Sequence, residues 1–115
     1  MTLQLTPEVL QAGYDLLNLT RPFNRWNLPS DTVIFKVAKS RREHGWFTVD
    51  AKDRLLIVAS SALTGHLITL LGTLGHEMIH LHQHLTGMPI NHGPAFKKLA
   101  QEVCKYHRDF DPKAF

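Results

Sequence analysis

The sequence predicts an α+β domain, and three observations predict it. Helix-start signals stand at Thr6-Pro7-Glu8 and Gly93-Pro94, three short β-branched or apolar runs lie between Thr32 and Ala59, and a helical pattern runs from Thr64 to about Thr86. Short neighbouring strands followed by helices suggest a small, mostly antiparallel three-stranded sheet packed on helices.

Each element has a local reason. Thr6 supplies a capping hydroxyl, Pro7 suits the first helical position, and Glu8 complements the helix dipole. Val9, Leu10, Tyr14, Leu16 and Leu17 then give a mostly apolar face, so residues 7–19 read as an N-terminal helix. Pro22 and Pro29 mark the stretch 21–30 as an irregular connection. Strands are expected at Thr32–Ala38, Gly45–Val49 and Arg54–Ala59, the last two joined by a turn at Asp50-Ala51-Lys52-Asp53. The long helix ends where Gly87, Met88 and Pro89 supply a stop. A C-terminal helix follows to about His107, with Phe96, Leu99, Ala100 and Val103 as its buried stripe.

At 115 residues, a single domain over 1–115 is the expectation. Hydrophobic residues at 43% and charged residues at 20% are ordinary for a globular chain and allow one modest core. The longest apolar stretch, Leu67 to Leu74, falls far short of a membrane span, so no membrane partner is expected. The N-terminus lacks the basic and apolar regions of a signal peptide, and a cytoplasmic location is the simplest reading. One cysteine, Cys104, excludes an internal disulfide and a four-cysteine zinc ribbon. A monomer is expected.

Charge is unevenly spread. Between Arg21 and Arg54, eight basic residues (Arg21, Arg25, Lys36, Lys39, Arg41, Arg42, Lys52 and Arg54) face four acidic ones. Such a stretch can attract the phosphates of DNA, although a solvated surface explains it more often. The histidines are more unusual: of eight in the chain, five fall between His76 and His92.

His76-Glu77-Met78-Ile79-His80 is an HExxH pattern within the long helix. Positions i and i+4 share a helix face, so both imidazoles can converge on one zinc ion. Glu77, next to the first ligand, can reach a water on the metal rather than the metal itself. Bound zinc lowers the pKa of that water to about 7, and the carboxylate accepts its proton as it attacks a carbonyl. Chance alone produces the pattern in a chain of this composition with a probability of roughly 2%. A catalytic zinc also needs a third protein ligand. His92, twelve residues beyond His80 across a turn, is one candidate, and Glu102 competes with it.

HEMIH followed by NHGPAFKKLA resembles the SprT-like metalloproteases, the family that includes the DNA–protein crosslink protease Spartan. Those proteins pair an HExxH helix with a downstream His-Gly-x-x-Phe, here His92-Gly93-Pro94-Ala95-Phe96. The resemblance implies a zincin-like minimal metalloprotease domain with His76, His80 and His92 as zinc ligands and Glu77 as catalytic base. It covers about the last 70 residues, well at the two motifs and loosely over Gly45 to Leu63. It further implies a protein or peptide substrate, with DNA-associated or DNA-crosslinked proteins as the specific class. Many members carry a cysteine-based zinc subdomain after the catalytic core. Cys104 has no partner for one, so no C-terminal zinc ribbon is expected and a DNA role rests on the basic stretch.

Other residues are weighed against plainer roles. His84 shares the stripe of His76 and His80 but lies about 12 Å along the axis from His76, too far for the same ion. It is expected to face solvent or to support the site from outside. His82 points away from His80. Gly72 and Gly75, each costing about 1 kcal/mol in a helix relative to Ala, either admit a strand beside the site or are simply tolerated. Arg54–Ala59 is expected as an edge strand that lines the cleft and pairs with an extended peptide, or as a purely structural one. Trp26 and Trp46 are candidates for stacking on bases, with core packing as the plainer role. Tyr106 and His107 are not assigned a role. The rival functions are a zinc-containing, DNA-associated binding module without turnover and a peptidase or amidase acting on small substrates. Zinc is favoured by three nitrogen ligands with an open position, while manganese, cobalt or nickel could substitute.

Overall fold

The computed structural model describes residues 4–115. Helix α1 spans Pro7–Asn18, and the Thr6 side chain accepts from the Val9 N–H at 3.2 Å, as the capping signal requires. Leu10, Tyr14 and Leu17 turn the buried face of α1 inward. The proline-containing connection folds over the core, with a short 3-10 turn at Phe23–Arg25 and the Phe23 ring fully buried.

Three strands form one sheet: β1 (Val33–Ala38), β2 (Gly45–Val49) and β3 (Leu55–Ser60). Their spatial order is β1-β3-β2. β2 pairs antiparallel with β3, in register Phe47 to Ile57, but β1 pairs parallel with β3, in register Phe35 to Ile57. The sheet is therefore mixed rather than mostly antiparallel. Nor is the third strand an edge, because it lies between the other two. The physical reason is visible in burial. Leu56 to Ser60 are all buried, so both faces of β3 are covered, and a strand buried on both faces belongs in the middle of a sheet. β1 and β2 each carry an exposed residue, Lys36 and Thr48.

The turn between β2 and β3 is held by Asp50, whose carboxylate accepts from the backbone N–H of Lys52 and of Arg54, both at 2.9 Å. It also pairs with Arg54 Nε at 2.7 Å, and the two Arg54 bonds and that of Lys52 hold its carboxyl below the usual range. After β3 the chain turns on Ser60 and Thr64, both fully buried. Ser60 Oγ donates to Ser40 O and accepts from Ser40 N–H, while the Thr64 hydroxyl donates to Ser60 O. Thr64 is therefore spent on this turn, and helix α2 begins three residues later than its pattern suggested.

α2 runs from Leu67 to Leu85. It ends in a Schellman motif, in which Met88 N–H donates to Gln83 O at 2.8 Å and Gly87 N–H to His84 O at 3.2 Å. Gly87 takes the left-handed conformation this requires, at φ 73°. The short loop leads into α3 (Pro94–Tyr106), which buries Phe96, Ala100, Val103 and Cys104. Leu70, Leu74, Met78, Ile79 and Leu81 of α2 meet Leu10 and Tyr14 of α1, Phe35 and Ile57 of the sheet and Phe96 of α3 in one core. α2 is thus the central strut, and the histidines it carries sit on a rigid element. Among the described residues, no helix is long and apolar enough to cross a membrane.

Candidate metal centre

His76 and His80 project from one face of α2, and the α2–α3 loop brings His92 onto them. His92 Nε2 lies 3.1 Å from His76 Nε2 and 3.1 Å from His80 Nε2. Three nitrogens held at 2.0–2.1 Å around a tetrahedral ion stand about 3.3 Å apart. The imidazoles therefore fit a single metal ion, and one ligand atom from each lies within 4.8 Å of the others. Glu102, the competing third ligand, is exposed on α3 and outside this cluster.

The second motif has a packing logic. Asn91 Oδ1 accepts from Gly93 N–H at 3.0 Å, turning the chain so that His92 faces α2 while Pro94 starts α3. Phe96, four residues after His92 and 1% exposed, then forms a floor under all three imidazoles, with ring centroids 4.9 Å from His76, 4.9 Å from His80 and 4.8 Å from His92. Behind the cluster, Gln83 Oε1 lies 2.8 Å from His80 Nδ1, and Gln83 Nε2 donates to Asn91 O at 3.3 Å. Sequence reasoning missed Gln83, although its position one turn after His80 was the available signal.

Burial favours the neutral form of His76 and His80. It lowers the His76 pKa to about 4, with His80 and His92 adding repulsion against a further positive charge. His80 is likewise lowered, first by burial, with the Gln83 bond opposing and His92 assisting. Glu77, 4% exposed, moves the other way: burial, and then the nearby Glu43, push it up to about 8, while the Phe47 backbone N–H holds it down in part. Neutral imidazoles at His76 and His80 are in the form that binds a divalent ion, and the Glu77 carboxyl stands beside them.

A cleft of about 490 Å³ opens beside these residues. His76, Glu77 and His92 form one side, Glu43, His44 and Gly45 another, and Phe110 and Phe115 close the end. Gly45 is required here, since a Cβ would stand 2.5 Å from Val58 O and 2.8 Å from Thr73 Cγ2. β2 is therefore pressed against α2, and this close approach brings Phe47 to Glu77. No motif marks Glu43, Phe110 or Phe115, and nothing in the sequence signalled them.

The remaining candidates fall elsewhere. His84 is exposed, its ring 5.9 Å from Phe47, and is not part of the ligand cluster found among the described residues. His82 is half-buried and stacks on Trp26 at 4.3 Å, and its Nδ1 is buried without a hydrogen-bond partner among the described residues. Trp26 is thus committed to packing, and Trp46 is half-buried on β2. A Cβ at Gly75 would meet the rings of Phe110, Phe23 and Phe115 at 3.4–3.8 Å rather than a strand, and Gly72 faces open space at the cleft. Tyr106 is exposed, and His107 bonds Thr20 Oγ1 at 2.9 Å and stacks on Phe110. All eight basic side chains from Arg21 to Arg54 are exposed, and among them only Arg54 is ion-paired within the described residues.

An α+β fold whose central helix carries His76 and His80, with His92 returning from the next loop, defines a zincin-like site that could hold a metal ion. The model of the SprT-like family matches residues 14–114, and the chain belongs to that family. No curated protein and no solved structure gave a match.

Proposed function

We propose that this protein is a zinc-dependent metalloendopeptidase that hydrolyses peptide bonds in protein substrates. The observation that carries this is the convergence of three imidazoles beside a buried glutamate in an open cleft. Family membership supports it. A purely structural metal site closes with four protein ligands and needs no base.

Zinc held by His76, His80 and His92 would supply Lewis acidity, lowering the pKa of water to about 7 and polarising a carbonyl. Positive charge nearby also favours the ionised form of Glu77, reversing the effect of burial. Glu77 then takes the proton of the attacking water and returns it to the leaving amine, base and acid in turn. Phe96 holds the imidazoles in place from below, so that they need no reorganisation.

The substrate strand is assigned to β2. Ser60 N–H donates to His44 O at 2.7 Å, and antiparallel alternation then turns the backbone groups of Gly45, Phe47 and Val49 away from β3. Phe47 N–H lies toward Glu77, and the outward groups to either side are assigned to pairing with an extended peptide. Physiological substrates are proteins bound or crosslinked to DNA, and the exposed basic side chains between Arg21 and Arg54 supply the attraction to phosphate.

The test compares wild type with Glu77→Gln, matched for zinc content, on a DNA-binding protein with and without single-stranded DNA. Cleavage by wild type alone supports the peptidase, and stimulation by DNA supports the substrate class. Equal background in both proteins, with one zinc per chain, would instead favour a metal-containing DNA-associated module without turnover.

A further inference from the structure

Gln83 lies behind the metal cluster, not in the cleft, and it is completely buried. A buried amide must place both its oxygen and its nitrogen on suitable partners. Its two neighbours leave only one solution. Asn91 O is a backbone carbonyl and can only accept, so the Gln83 NH2 must face it. The Gln83 oxygen then faces His80 Nδ1 at 2.8 Å, and an oxygen there can only accept. His80 Nδ1 must therefore carry the proton. In a neutral imidazole this leaves Nε2 as the lone pair, and Nε2 is the atom pointing at His76 and His92.

We propose that Gln83 is a positioning residue that fixes His80 in its metal-binding tautomer and ties it to the loop carrying His92. One side chain thus links two ligands: His80 directly, and His92 through the carbonyl of the residue before it. The chain of constraint runs on through Asn91, whose side chain accepts from Gly93 N–H and so sets the turn into α3. A histidine ligand held by the partner of its other nitrogen binds metal more tightly, and loss of such a partner lowers affinity about 10–100-fold.

This inference rests on the metal reading of the site, yet part of its test does not. In metal-free protein at neutral to alkaline pH, nitrogen-detected NMR should show His80 protonated at Nδ1. Gln83→Leu should leave the circular dichroism of the fold intact and release His80 to a mixture that includes the Nε2-protonated form. Zinc affinity by chelator competition should fall about 10–100-fold. Gln83→Glu, which keeps an acceptor for His80, should retain the Nδ1-protonated form. If Gln83→Leu fails to fold, Gln83→Met, unbranched and of similar length, gives the same readout. An unchanged tautomer and unchanged zinc affinity in the apolar variant would overturn the proposal, as would an Nε2-protonated His80 in wild type. Wild type that binds no zinc would defeat the metal reading, while the tautomer still decides the role of Gln83.

Discussion

One wall of the cleft is a helix and a short loop, with His76 and Glu77 side by side on α2, His80 one turn further behind them, and His92 seven residues beyond the end of the helix. The facing wall draws on two distant segments: the entry into β2 with Glu43, His44 and Gly45, and the tail with Phe110 and Phe115. The first wall carries the reacting groups, and the second shapes what can reach them. Local spacing builds the first, since i and i+4 on a helix share a face whatever the rest of the chain does. Only tertiary packing builds the second. The two walls should therefore respond differently to mutation, in chemistry and metal binding on one side, in substrate binding and stability on the other.

The largest effect is expected at Glu77. Glu77→Gln should lower the rate of peptide cleavage about 10²–10⁴-fold while zinc content stays unchanged, as measured by initial rates and metal analysis. A variant that lost its zinc as well would blur the distinction between base and ligand. Next comes His92→Ala, which should weaken zinc binding by more than about 100-fold, beyond the loss of a supporting hydrogen bond. Glu102→Ala, by contrast, should leave chelator competition unaffected, because its carboxylate lies outside the cluster.

The pH dependence of the metal-free protein sharpens the comparison. Glu77 rises from 4.5 to about 8 on folding, so between those values the folded chain binds more protons than the unfolded chain. Stability from this group is present at low pH and is lost as pH rises through that window. His76 falls from 6.5 to about 4, so its contribution is lost as pH falls through that range. Metal-free Glu77→Gln should therefore be more stable than metal-free wild type, by on the order of a few kcal/mol near pH 8 and by little near pH 4. Thermal melts across pH check this, and a gain independent of pH would remove burial of the carboxyl as the cause.

On the facing wall, Gly45→Ala should destabilise the fold by about 1–3 kcal/mol, since the new Cβ meets backbone at Val58 O and the Thr73 side chain. Chemical denaturation measures that. The smallest effect is expected at Phe115→Ala, half-buried at the cleft end: KM should rise a few-fold with kcat and zinc content kept, since removing uniform binding raises KM alone.

How much was legible follows the same division. The three long helical patterns, the capping at Thr6-Pro7 and the stop at Gly87 could be read because each depends on neighbours in sequence. The same holds for the HExxH face. His92 needed the paired His-Gly-x-x-Phe motif, because spacing alone left Glu102 open. The strand order could not be read from pairing of consecutive segments, yet the continuous apolar run of β3 against the exposed Lys36 and Thr48 of its neighbours was a usable sign of its central place. Thr64 lies outside the helix its pattern predicts because its hydroxyl is used on Ser60, a contact invisible to periodicity. Gln83 looked like a polar helix residue until its two partners were seen together.

Everything proposed for this site depends on His76, His80 and His92 jointly holding one metal ion. X-ray absorption on zinc-loaded wild type, with metal counted per chain, tests it most directly. One zinc per chain is expected, with three imidazole nitrogens and no sulfur in its coordination, and loss of that zinc in His92→Ala. No bound zinc in wild type, or a full complement retained without His92, would contradict it.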